Sequence, residues 1–135
     1  MLTSVSKYRV LYADTDKMGY FYHGNYTELF EIGRSEMLRS AGFSYKKLEE
    51  KGFILPVVEL HVQYKNPAYY DDVLSIHTTL EQMPSVRMEF SFEIWSQHDL
   101  LICNAKTVLV FADSQSKKPV KAPSMFLDAL VQKGL

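Results

Sequence analysis

Between Tyr12 and Asn25 the chain gathers Tyr12, Asp14, Asp16, Tyr20, Tyr22, His23 and Asn25 around two glycines, Gly19 and Gly24. Turn formation accounts for the glycines and for one aspartate. A second carboxylate, a histidine and an amide side chain in the same short stretch suit a functional site, because loops held by rigid elements commonly carry function. They also suit a structural loop that caps a helix. The chemistry open to the first reading follows from what comes next in the chain. A helix starting at Asn25 presents unpaired backbone N–H groups and the positive end of its dipole, which hold negative charge developing on a carbonyl oxygen. A partly desolvated carboxylate beside it can attack that carbonyl, or take a proton from the water that does. Esters and thioesters fit this arrangement, thioesters better, since a thiolate leaves without a strong acid.

The elements that must position these residues are legible in the spacing. Tyr8 to Tyr12 is rich in strand formers and runs into the polar stretch Ala13 to Gly19. From Asn25, Tyr26, Leu29, Phe30, Gly33, Met37 and Ala41 recur at three- and four-residue intervals, which predicts a helix of about four turns. Asn25 and Glu28 have capping-box spacing and Gly42 can close the helix. Gly33 in mid-helix costs about 1 kcal/mol relative to Ala, so the expectation is that the helix approaches a sheet closely there. Ser44 caps a short helix over Tyr45 to Lys51, stopped by Gly52.

Period-two alternation then marks strands over residues 58–65, 74–81 and 87–94, each with one apolar face. A fourth, Leu101 to Phe111, is apolar on both faces and is expected to be more buried or to meet another subunit. Pro123 opens a last helix through Lys133. Short connections between the four strands suggest a meander. The fold class is therefore α+β, a five-stranded antiparallel sheet wrapped around one long helix.

Composition narrows the function. The 135 residues suffice for one domain, 1–135, and 47% are hydrophobic, ample for a core. Fifteen basic against sixteen acidic residues give a net charge of −1 with no like-charge block, so bulk charge offers nothing to nucleic acid. No signal peptide and no apolar run of membrane-spanning length is expected, which suggests a soluble, cytoplasmic protein. Cys103 is the only cysteine, excluding an intrachain disulfide, and its apolar strand predicts a buried, inert thiol. Asp14, Asp16 and His23 lack ligand spacing with His61, His77 and His98, so no metal is expected. Asp14 is assigned to hydrogen-bonding loop amides.

The run Tyr12-Ala13-Asp14-Thr15-Asp16-Lys17-Met18-Gly19-Tyr20-Phe21-Tyr22-His23-Gly24-Asn25-Tyr26 resembles the signature of the hot-dog-fold acyl-CoA thioesterases. The likeness is to the 4-hydroxybenzoyl-CoA thioesterase group and its Tol-Pal-associated branch. It extends through Glu31 to Leu38, the Gly42 helix end and Tyr69-Tyr70-Asp71-Asp72, nearly the whole chain. The resemblance implies hydrolysis of an acyl-CoA thioester to free acid and coenzyme A. Coenzyme A is then part of the substrate, and neither cofactor nor metal is needed. It implies Asp16 as general base or nucleophile, His23 as the motif histidine acting through its ring or its amide, and Tyr12 as the motif tyrosine. Gly24 and Asn25 at the helix start are expected to face substrate, and Arg87 to reach the nucleotide phosphates, although the basic cluster usual at that turn is missing here. A homodimer with sheets joined edge to edge, or a tetramer of two such dimers, is implied as well. The alternatives are a hot-dog module that binds acyl-CoA or acyl carrier protein without turnover, and an interaction protein. A dehydratase needs a different arrangement of histidine and acid.

Overall fold

In the computed structural model, which describes residues 1–135, the long helix α1 spans Tyr26–Ser40 and buries Tyr26, Leu29, Phe30, Gly33, Arg34, Met37 and Leu38. Those positions form one stripe, and the stripe lies on the inner face of a five-stranded antiparallel sheet. In chain order the strands are β1 (Leu2–Arg9), the two-residue β2 (Phe53–Ile54), β3 (Val57–Tyr64), β4 (Val73–Leu80), β5 (Arg87–Trp95), β6 (Leu101–Val110) and the short β7 (Ala112–Asp113). The main sheet runs β1-β4-β5-β6-β3, while β2 and β7 pair separately. Helix α2 covers Tyr45–Glu50 and α3 covers Ser124–Gln132.

The core forms where α1 meets the inward residues of β4 and β5: Leu74, Ile76 and Leu80 from one strand, Met88, Phe90, Phe92 and Ile94 from the other, all at or below 1% exposure. Phe30 packs against Phe92 with ring centroids 4.9 Å apart. Each such side chain contributes roughly 1.5–3 kcal/mol when removed from water, far more than the helix loses by carrying a glycine. Gly33 sits where α1 crosses β4 and β5. A methyl group there would overlap Thr78 Oγ1 and lie 3.0 Å from Ile76 Cγ2. The close approach expected from the glycine is present. Gly42 closes α1 at φ +87°, with Phe43 N donating to Leu38 O at 2.9 Å. Ser44 Oγ caps α2 by accepting from Lys47 N at 3.1 Å.

Two expectations are corrected, and the greater burial expected of Leu101 to Phe111 is present. The first strand is Leu2–Arg9, not Tyr8 to Tyr12; Tyr12–Asp14 is a tight 3-10 turn, drawn in because Asp14 Oδ2 accepts from Leu11 N at 2.8 Å. Only β4, β5 and β6 form a meander. β3 pairs with β6 and β4 with β1, since residues 65–72 cross the sheet end instead of turning back as a hairpin. The double apolarity of β6 follows from this order: it lies between β5 and β3, and Ile102 and Val108 are each 1% exposed within the single chain. Cys103 is fully buried there, and loss of solvent pushes its thiol up to about 12. No helix is long and apolar enough to cross a membrane.

Candidate active site

The Asp14 side chain sets the loop. Its Oδ2 accepts from Tyr8 Oη at 2.7 Å as well as from Leu11 N, and its carbonyl accepts from Tyr22 N at 2.9 Å and Asn25 Nδ2 at 3.0 Å. Both ends of the segment are thereby tied to one residue. Burial, together with the bond to Asp14, pushes the Tyr8 phenol up to about 12, so it stays a donor at any physiological pH. The capping box expected between Asn25 and Glu28 is absent, because the Asn25 amide turns back to the Asp14 carbonyl.

Asp16 closes a smaller ring within this loop. Its N–H donates to Tyr20 O at 2.9 Å and its carbonyl accepts from Gly19 N at 2.9 Å. Oδ1 accepts from Met18 N at 3.0 Å and Tyr20 N at 3.2 Å, leaving Oδ2 without a protein donor. Gly19 stands at φ +83°, which an L side chain adopts only with strain, so the turn that aims the carboxylate depends on glycine. The loop is anchored to the 65–72 connection by Phe21 N donating to Ala68 O at 2.8 Å and by the Tyr20–Tyr69 bridge.

His23–Asn25 make one 3-10 turn that leads into α1. Asn25 N donates to Tyr22 O at 2.9 Å, whereas the His23 and Gly24 amides have no backbone acceptor. These are the orphan donors of a helix start. The His23 carbonyl accepts from Tyr64 Oη at 3.1 Å, and its ring lies between those of Tyr22, 4.5 Å away, and Tyr64, 6.2 Å away. At Gly24 a Cβ would come within 2.7 Å of the Tyr22 ring, which keeps this turn free of side-chain bulk.

A cavity of about 270 Å³ joins these groups. Asp16, Met18, Tyr20 and His23 line it together with Tyr26 at the start of α1 and with Tyr64, Lys65, Asn66 and Pro67 at and after the end of β3. Asp16 and His23, seven residues apart in the chain, thus share one cavity. Burial raises the phenols of Tyr26 and Tyr64 above their ordinary range, so both remain protonated beside it. Asn25 and Gly24 adjoin the cavity without lining it. Tyr12 is 78% exposed and packs on Tyr70, outside it. Arg87 opens β5 on the outer face of the sheet, 3.3 Å from Glu59 Oε2, and lines a separate polar cavity of about 300 Å³. The sheet itself separates that cavity from α1 and the Asp16 loop. The reading by spacing missed Tyr64: as the last residue of an alternating strand it registers as one more apolar-face position, and only its phenol hints at more. No group of three or more His, Cys, Asp or Glu side chains stands ready to hold a metal.

A long helix packed on one face of a five-stranded antiparallel sheet, with a carboxylate loop at the helix start, is the arrangement of the hot-dog thioesterase class. The family model described as the thioesterase-like superfamily matches residues 10–130, and the chain belongs to that family. It is 32% identical over 128 residues to YneP of Bacillus subtilis (strain 168), covering 95% of this chain and 93% of that protein. It is 34% identical over 115 residues to the acyl-CoA thioester hydrolase YbgC of Escherichia coli O6:H1, covering 85% and 86% respectively. Among solved structures, the DHNA-CoA thioesterase of Staphylococcus aureus superposes with a TM-score of 0.92 at 31% identity, covering 98% of this chain and 91% of that one.

Proposed function

We propose that this chain hydrolyses acyl-CoA thioesters to the free acid and coenzyme A in the Asp16 cavity. The observation that carries the reading is a cavity lined by both Asp16, whose carboxylate keeps an unengaged oxygen, and His23, whose amide and that of the adjoining Gly24 are unengaged at the helix start. The thioester carbonyl oxygen is received by the His23 and Gly24 N–H groups, which meet the negative charge as it develops. Asp16 Oδ2 either attacks the carbonyl carbon or removes a proton from the attacking water. The two amides on Oδ1 fix the carboxylate so that little orientation is lost on reaction. Tyr64 holds the His23 carbonyl and with it the angle of the donor turn. Tyr12 and Arg87 carry no step here, since Tyr12 packs on Tyr70 and Arg87 pairs with Glu59 in a separate cavity. Release of free thiol from a panel of short aliphatic, long aliphatic and aromatic acyl-CoAs tests the reading. Turnover of one class supports it. Tight binding without turnover of any class indicates a carrier module instead.

The same reading includes a homodimer joined through β3. That strand is the open edge of the sheet beside β6, and Val57, Val58, Leu60 and Tyr64 on it are 41–52% exposed. A long apolar edge left unpaired templates association with another chain. Because Tyr64 ends this strand and walls the cavity, joining the edges places the site at the subunit boundary. Lysines at both Val58 and Leu60 are expected to convert the dimer to monomer in sedimentation velocity, with circular dichroism unchanged and hydrolysis lowered. A wild-type monomer with full activity contradicts the edge assignment. A cytoplasmic location belongs to the same proposal and is supported by the free, buried Cys103.

A further inference from the structure

A further cavity of about 370 Å³ opens between α1 and α2, walled by Glu31, Arg34 and Arg39 from α1 and by Ser44, Tyr45 and Lys46 at the start of α2. Arg34 is only 9% exposed. Its Nε donates to Tyr45 Oη at 3.1 Å. The ion pairs of the chain are Arg9–Asp71, Arg39–Glu36, Arg87–Glu59 and Lys106–Glu89, so Arg34 has no carboxylate partner. Glu31, one turn away on the same helix and lining the same cavity, does not pair with it.

Arg34 is thus held in a mostly buried position without a counter-charge, and of its five N–H donors one is engaged by the protein. Of the charged residues around it Arg39 is paired with Glu36, which leaves Arg34 and Lys46 against Glu31 and Glu49, so what calls for an anion is the unpaired guanidinium itself. Burial raises the Tyr45 phenol above its ordinary range even though Arg34 acts to lower it, so Tyr45 stays protonated beside the guanidinium. A planar fork of donors facing a cavity matches the two oxygens of a carboxylate or phosphate.

We infer that the α1–α2 cavity is an oxyanion site in which the free edge of Arg34 holds a carboxylate or phosphate group, with Lys46 and the Ser44 hydroxyl at its rim. The binding chemistry stands on this cavity alone; the source of the anion rests on the thioesterase reading, which supplies the phosphates of coenzyme A and the carboxylate of the acid.

The test is titration of the full chain, labelled with ¹⁵N at arginine Nε, with inorganic phosphate, benzoate, coenzyme A and 3′-dephospho-coenzyme A at constant ionic strength. A saturable shift of the Arg34 Nε–H resonance is expected with at least one of them. Calorimetry is expected to read a tenfold or greater loss of affinity for that ligand in Arg34→Gln and a two- to threefold loss in Lys46→Gln. Preference for coenzyme A over its 3′-dephospho form assigns the phosphate source, and saturation by benzoate assigns the carboxylate. Shifts that stay linear with every ligand, or equal affinity in Arg34→Gln, overturn the site. Should Arg34→Gln fail to fold, the wild-type resonance and Lys46→Gln decide. A chain that saturates at Arg34 yet hydrolyses no acyl-CoA keeps this site and sinks the hydrolase reading alone.

Discussion

Replacing Asp16 by Asn is expected to lower kcat/KM for acyl-CoA hydrolysis by about 10²- to 10⁴-fold, the range a positioned acid–base group supplies, with the fold intact. The substitution isolates chemistry from structure because of how the carboxylate is held. The amides of Met18 and Tyr20 both donate to Oδ1, and an asparagine carbonyl oxygen accepts them equally well. What disappears is the basic or nucleophilic Oδ2, which takes no hydrogen bond from the protein. Thiol release and a thermal melt, run on the same preparation, read the two consequences separately. A melting temperature within a few degrees of wild type together with lost turnover fits the account; undiminished turnover removes Asp16 from the mechanism. A single turnover in ¹⁸O-labelled water then tests the nucleophilic role. Label entering Asp16 marks an anhydride opened at the Asp16 carbonyl, whereas label confined to the released acid fits a base or an anhydride opened at the acyl carbonyl.

The largest expected loss of stability comes from Gly33→Val. Ordinarily a side chain at a helical glycine adds helix propensity, for valine a few tenths of a kcal/mol. Here the added Cβ overlaps Thr78 Oγ1 and crowds Ile76 at 3.0 Å and Phe92 at 3.3 Å. Thr78 is β-branched, fully buried and fixed in β4, so it does not swing clear. Overpacking of this kind costs about 1–3 kcal/mol and lowers the melting temperature by roughly 5–10 °C in a domain of this size. Thr78→Ala supplies the control. Its hydroxyl has no hydrogen-bond partner in the core, so removing it sacrifices no bond and opens space facing residue 33. The double variant is expected to recover part of the loss, with a coupling of about 0.5–3 kcal/mol between contacting positions. Additive losses would show that the glycine is not there for close approach.

The same two regions show what the sequence conveyed. α1 was legible because Leu29, Phe30, Gly33 and Met37 repeat on one face, and the Asp16 loop because carboxylates, histidine and glycines crowd between two regular elements. Where the spacing misled, a local signal was outweighed by a distant partner. β1 was placed too late because its half-buried positions include Ser4 and Ser6, which give no apolar alternation, while the Tyr-rich segment after it is bent into a turn by Asp14. The neighbour of β3 is not legible because an eight-residue connection reads like a wide hairpin; its anchoring to the Asp16 loop through Ala68 and Tyr69 is a long-range fact. Asn25 had the residue type and spacing of a cap, yet the Asp14 carbonyl, eleven residues back, captured its amide. Tyr64 reached the cavity only because β3 ends beside the helix start, a juxtaposition no local pattern records.

The most direct test is a crystal structure of the chain with a coenzyme A ketone, in which a methylene separates sulfur from the carbonyl so that the bond cannot be hydrolysed. The ketone oxygen is predicted to lie about 2.7–3.1 Å from the His23 and Gly24 amide nitrogens, with its carbonyl carbon facing Asp16 Oδ2. An analogue bound with that carbonyl elsewhere, and only solvent between Asp16 and the helix start, contradicts the account.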